Sequence, residues 1–272
     1  MDPYDGGMAA PLLRSAAFFD LDKTIIAKSS TLAFSKPFQA GGLISRRAVL
    51  RSAYAQFVYL VGGADHDQME KMRAFMSQLV AGWDVATVRE IVADTLHNVV
   101  DPLVYDEAVS LIEEHQLAGR DVVIVSTSGT EVVEPIGEML GADIVVASRL
   151  EEMDGKYTGN IDYYAYAEEK ARAVLELAEQ RGYDLDSSFA YSDSVTDVPM
   201  LEAVGHPHAV NPDKELRKVA TTQGWPVLVF TKPVALRSGV PYKPTLAALA
   251  VGSVVAVGGL LWASARRRRL GA

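Results

Sequence analysis

Phe18-Phe19-Asp20-Leu21-Asp22-Lys23-Thr24 is an apolar run that ends in two carboxylates two positions apart, with a hydroxyl two further on. A short apolar run of this kind reads as a buried strand, and the C-terminal tips of strands are where open α/β sheets place their chemistry. At such a tip Asp20 and Asp22 can both reach one small volume, where crowded carboxylates share a proton or bind a cation. Both outcomes serve phosphoryl transfer. An Asp-x-Asp loop that caps the following helix gives the same string, so the rest of the chain has to decide.

Three further segments follow in order. Asp121–Ser126 is a β-branched run entered through Gly119 and followed by Thr127-Ser128-Gly129, after which residues 131–140 have helical spacing. A hydroxyl at a strand tip before a helix start can hold a phosphate with side chain and backbone N–H groups, although Ser128 or Thr130 could equally be an N-cap. Lys170 sits in Tyr166–Gln180, a stretch rich in Ala, Glu, Leu and Lys that reads as helix. Ser188–Ser192 is another short strand, and Asp193 and Asp197 stand directly beyond it.

Taken together, Asp20, Asp22 and Thr24, then Ser126, then Lys170, then Asp193 and Asp197 resemble the four ordered motifs of the haloacid dehalogenase superfamily. The resemblance covers residues 15–230. Tyr191–Leu201 is most similar to subfamily IB, which includes the phosphoserine phosphatases, with Ser192 where many members carry Gly. The resemblance implies an Mg²⁺-dependent phosphomonoesterase. Asp20 would be the nucleophile that forms an aspartyl-phosphate and Asp22 the general acid and base. Ser126 and Lys170 would hold the phosphoryl oxygens. Asp20, the Asp22 main-chain carbonyl and Asp193 would ligate the metal, with Thr24 and Asp197 behind them. Asp22-Lys23-Thr24 also resembles the start of a P-type ATPase phosphorylation string, but Ile25-Ile26 follow where that string has Gly-Thr. A phosphotransferase, or a regulatory protein that binds a phosphorylated ligand without turnover, are the alternatives.

Strand-like segments at 15–20, 121–126, 143–147, 188–192, 208–211 and 226–230 alternate with helical patterns, which argues for a doubly wound parallel sheet covered on both faces. Asp154-Gly155 reads as a β-hairpin turn and His206-Pro207-His208 as a turn. The catalytic core is expected over 15–26 and 103–230, behind a disordered leader at 1–14. Residues 27–102 contain no convincing strand. Val85, Val88, Ile91, Val92, Leu96 and Val99 recur at helical spacing, as do apolar residues in 48–60 and 69–80, so this insert reads as a helical cap. By the resemblance it selects the substrate. Phosphoserine phosphatases carry a Glu nine residues past the nucleophile to meet the substrate amine; Ser29 stands there, and Arg73 is a candidate for a substrate carboxylate. Without that Glu an amino-acid substrate loses its amine contact, so the resemblance implies a phosphatase without singling out phosphoserine.

The chain has 272 residues, a net charge of −9 and no cysteine. The acidic balance argues against nucleic acid, and the missing cysteine removes disulfides, thiolate chemistry and thiolate metal sites. The five histidines show no metal-ligand spacing. After a proline-containing linker at 231–244, Thr245–Ala263 is a nineteen-residue stretch without a charge, followed by Arg266–Arg269. That length suits a membrane anchor, so 245–272 is expected to meet membrane lipid. A single span would place four Arg outside, against the positive-inside tendency; a re-entrant or interfacial segment on anionic lipid is the other reading. The expected protein is a bacterial phosphatase with a cytoplasmic catalytic body attached to the membrane, acting on a phosphorylated small molecule or lipid precursor.

Overall fold

A computed structural model describes residues 14–44, 77–231 and 233. In chain order the elements are β1 (Ala16–Phe19), α1 (Ser30–Ala33), α2 (Ser35–Ala40), α3 (Val85–Val100), α4 (Asp106–Leu117), β2 (Asp121–Gly129) and α5 (Thr130–Leu140). They continue with β3 (Ile144–Met153), β4 (Lys156–Tyr163), α6 (Glu168–Arg181), β5 (Phe189–Ser192), α7 (Val198–Glu202), β6 (His206–Val210), α8 (Lys214–Gln223) and β7 (Val227–Leu228).

The seven strands form one sheet in the order β4-β3-β2-β1-β5-β6-β7, parallel except for the antiparallel β3–β4 pair. β1 lies in the middle and is buried along its whole length, which is why its sequence is a continuous apolar run rather than an alternating one. Alternate residues point to opposite faces. Phe19, Ile124 and Tyr191 pack in one core that takes in Val88, Val92, Ile112 and Ile136 from α3, α4 and α5. Phe18, Val123 and Val125 pack in the other, with Val174, Met200, Leu201 and Leu216 from α6, α7 and α8. The doubly wound parallel sheet expected from the sequence is the observed architecture.

Several boundaries differ from the sequence reading. β2 continues past Ser126 to Gly129, with an irregularity in its pairing to β3 between those two residues. β3 does not stop at 147: it runs on as the first arm of the hairpin, whose turn residues Asp154 and Gly155 both have positive φ, as a two-residue turn with the right twist requires. His206-Pro207-His208 is not a turn. It begins β6, in register with Phe189, Ala190 and Tyr191 of β5. The His206 N–H donates to the Ser188 carbonyl on the β5 side, so Pro207 turns its nitrogen the other way, where β7 pairs only with Ala209 and Val210. No ladder donor is lost there, and the proline is tolerated.

Arg14, the last residue of the expected leader, is fixed: its Nη2 donates to both Asp121 carboxylate oxygens, at 3.0 and 2.8 Å, and its carbonyl accepts the Asp184 N–H. Thr231, the first residue of the expected linker, donates its N–H to Glu107 Oε1 at 3.0 Å. In the insert, α1, α2 and α3 are helical, and Asp84 caps α3 by accepting from the Thr87 N–H and hydroxyl. Residues 1–13, 45–76 (with Arg73) and 245–272 lie outside the described residues, so the leader, most of the insert's apolar patterning and the membrane segment lie outside them too. Among the described residues no helix is long and apolar enough to cross a membrane.

Candidate active site

The tips of β1, β2 and β5 and the start of α6 converge. Asp20 leaves β1 with its N–H on the Tyr191 carbonyl at 2.9 Å, which ties it to β5. The chain then turns sharply: the N–H groups of Ile25 and Ile26 both reach the Leu21 carbonyl, and Lys23 takes a positive φ of 63°. This turn separates the two carboxylates. Asp20 faces α6, while Asp22 faces α1 and the end of β2.

Lys170 is 2 % exposed, and its ammonium lies 2.6 Å from Asp20 Oδ1 and 2.8 Å from Asp197 Oδ2. Asp197 Oδ2 also accepts the Ser192 hydroxyl at 2.7 Å. Asp193, beyond β5, is met by the exposed Lys23 ammonium at 3.5 Å. Ser126 is buried, and its Oγ accepts the Ser128 N–H at 3.2 Å.

Asp20, Asp193 and Asp197 are all buried, with one buried ammonium among them. Burial, and then the neighbouring Asp197 and Asp193, push the Asp20 carboxyl up to about 8 against the pull of Lys170. Burial and Asp197 likewise raise Asp193 to about 6, with Lys23 opposing. Burial alone would lower the Lys170 ammonium, but Asp20 and Asp197 overcome it and hold it above its ordinary value. The site is therefore short of positive charge, which is the condition under which a cation binds.

The donor set fits magnesium. Among the described residues no three acidic or histidine side chains group as a self-sufficient metal cage. Asp20 and Asp193 supply two carboxylates, and the Asp22 carboxylate is engaged elsewhere, which leaves that residue its main-chain carbonyl. Mg²⁺ is commonly held by one or two carboxylates, with water and phosphate oxygens completing the shell.

The match to the haloacid dehalogenase-like hydrolase family model spans residues 17–202, from β1 through α7, and so includes every one of these residues. The chain belongs to the haloacid dehalogenase-like hydrolases. It is similar to a Streptomyces azureus protein described as an inhibition of morphological differentiation protein, with 64 % identity covering 94 % of this chain and 95 % of that one. A probable phosphatase of Mycobacterium tuberculosis is 58 % identical, covering 95 % and 90 %. In fold the chain resembles a phosphoserine phosphatase solved as a phospho-aspartyl intermediate analogue, with a TM-score of 0.59 over 82 % of this chain and 95 % of that chain, at 19 % identity. This haloacid dehalogenase-like hydrolase is a phosphatase-type enzyme with a phosphoserine phosphatase-like fold.

Within this hydrolase the structure brings Asp20, Lys170 and Asp197 into direct contact and sets Asp193, Ser126 and Asp22 around them. Thr24 is not brought into the network: its Oγ1 is buried and has no hydrogen-bond partner among the described residues. Neither Ser128 nor Thr130 is an N-cap. Gly129 holds that position in α5, the Ser128 hydroxyl turns to Asp22, and the Thr130 hydroxyl donates to the Ser148 carbonyl. Sequence reasoning missed Ser30, whose N–H and hydroxyl reach Asp22 and Ser128, and Asp213, which accepts the Val195 N–H at 2.9 Å and steadies the loop between Asp193 and Asp197. Ser192, read only as a small residue, uses its hydroxyl on Asp197. The signal for these three was a polar side chain at the end of a strand or the start of a helix.

Proposed function

We propose that this protein is an Mg²⁺-dependent phosphomonoesterase that works through a phosphoryl group carried on Asp20. The observation that carries this reading is the buried Lys170 ammonium held between Asp20 and Asp197, with a second carboxyl, Asp22, fixed apart from it. A ligand-binding protein needs a cation for its phosphate; it does not need a nucleophile aligned by a buried lysine and a separate acid beside it.

Asp20 attacks phosphorus, the bond to the ester oxygen breaks, and Asp22 gives its proton to that oxygen. Water then attacks the aspartyl-phosphate, Asp22 takes the proton back, and inorganic phosphate leaves with Asp20 restored. Ser126 and Lys170 hold the phosphoryl oxygens in both steps and keep Asp20 in line. Asp20, the Asp22 carbonyl and Asp193 would hold Mg²⁺, whose charge would offset that of the phosphoryl group so that one anion can approach another. Thr24 shapes the turn behind Asp22, and Asp197 anchors Lys170.

We assign the catalytic core to 15–26 and 103–230 and substrate choice to the cap at 27–102. The substrate is a small or lipid-linked phosphate ester, with phosphoserine one candidate, and residues 245–272 attach the cytoplasmic enzyme to the membrane. Release of inorganic phosphate from sugar, amino-acid, nucleotide and lipid phosphates tests this. Turnover that needs Mg²⁺ and vanishes in Asp20→Asn is expected. Metal-independent turnover, or turnover retained by that variant, would overturn the mechanism.

A further inference from the structure

Both oxygens of the Asp22 carboxylate are engaged by the protein. Oδ1 accepts the Ser30 N–H at 2.8 Å, and Oδ2 accepts the Ser128 hydroxyl at 3.1 Å. Ser128 is itself fixed from two sides. Ser30 Oγ donates to its Oγ at 2.8 Å, and its own N–H donates to Ser126 Oγ at 3.2 Å; Thr31 Oγ1 lies 3.4 Å from the same hydroxyl.

A hydroxyl carries one proton and two lone pairs. Because Ser30 donates into Ser128, the Ser128 proton is directed to Asp22, and the two hydroxyls form an ordered chain from Ser30 through Ser128 to Asp22. Ser30 is completely buried, so water does not compete for its hydroxyl. Ser128 thus joins the tip of β2 to the first residue of α1 through the Asp22 carboxylate.

We propose that Ser128, backed by Ser30, is a positioning residue that holds the Asp22 carboxyl in the orientation from which it protonates the leaving oxygen. This deepens the phosphatase reading and rests on it. In that step the bond from phosphorus to the ester oxygen breaks, the bond to Asp20 forms, and the Asp22 proton moves to the ester oxygen, leaving a carboxylate. The Ser30 N–H and the Ser128 hydroxyl are both donors, so they suit the carboxylate that the step creates and gain strength as the proton leaves.

The test compares kcat/KM for p-nitrophenyl phosphate, whose leaving group departs with little protonation, and phenyl phosphate, whose leaving group needs the proton. The full chain is assayed with Mg²⁺ as wild type, Ser128→Ala, Ser128→Thr and Ser30→Ala. Ser128→Ala is expected to lower phenyl phosphate hydrolysis by roughly tenfold more than nitrophenyl phosphate hydrolysis. Ser128→Thr should recover most of that difference, and Ser30→Ala, which keeps the N–H, should show a smaller loss with the same dependence on leaving group. Equal losses for the two esters in both alanine variants, or no loss, would overturn the positioning role. If the wild type released phosphate from neither ester, the phosphatase reading itself would fall, which separates the two failures.

Discussion

The Lys170 ammonium lies 2.6 Å from Asp20 Oδ1 although the two residues stand 150 positions apart, one just past the tip of the central strand β1 and one in the first turn of α6. Its second partner, Asp197, is equally buried. Removing the ammonium strands two carboxylates in a dry site. Lys170→Met is therefore expected to abolish turnover and also to cost about 3–5 kcal/mol of folding stability, read by urea denaturation. A Lys170→Met protein of unchanged stability would show that the pair is not formed.

His115 provides a pH prediction outside the active site. Its ring is 2 % exposed, with Nε2 2.8 Å from the Tyr191 hydroxyl and Nδ1 3.3 Å from Arg120 Nη1. Arginine only donates, so Nδ1 accepts, Nε2 carries the proton and the imidazole is neutral. Burial, then the charges of Arg120 and His208, lower its pKa from 6.5 to about 4. The unfolded chain binds this proton below 6.5 and the folded chain resists it until about 4, so the contribution is complete above 6.5 and is lost as pH falls through that window. The urea midpoint of the wild type should fall more steeply between those values than that of His115→Phe. Parallel curves would contradict the assignment.

Ala167 precedes the helix that carries Lys170 and sits at φ 50°, ψ −117°, a conformation that glycine adopts freely and an L side chain only with strain. Such backbone strain costs on the order of 1–3 kcal/mol, part of which glycine would return to unfolded-chain entropy. Ala167→Gly should therefore stabilise the fold by about 1 kcal/mol, seen as a rise in Tm. A fall in Tm would mean the residue is not strained.

Gly205 is the opposite case. A Cβ there would stand 1.9 Å from the Asp186 carbonyl oxygen, on backbone that the Gly205 N–H already ties to Leu185. Gly205→Ala should cost about 1–3 kcal/mol, measured by thermal unfolding, because the clash is with main chain rather than with a movable side-chain tip.

The strands were legible because a fully buried parallel sheet writes itself as apolar runs: Phe18-Phe19 and Val122–Val125 each fill both faces, and the chemistry then stands at their ends. Lys170 was legible only through the motif order, since a lysine in a helix gives no local sign of burial. His206-Pro207-His208 misled because proline normally interrupts a sheet, and nothing local reveals that β7 is too short to pair with it. The roles of Ser128 and Ser30 were hidden for a related reason. Their partners lie 106 and 8 positions away at Asp22, and a serine near a helix start has the same local sequence whether it caps that helix or holds a carboxylate.

During turnover phosphorus is expected to become bonded to Asp20. The most direct measurement is to mix the full-length enzyme with p-nitrophenyl phosphate and Mg²⁺, quench in acid within the first turnovers, digest, and locate any phosphoryl group by mass spectrometry. A single acid-stable, alkali-labile phosphoryl group on the peptide containing Asp20, absent from Asp20→Asn, is the predicted result. Turnover by the wild type with no phosphoryl group on that peptide, or with the group on another residue, would contradict it.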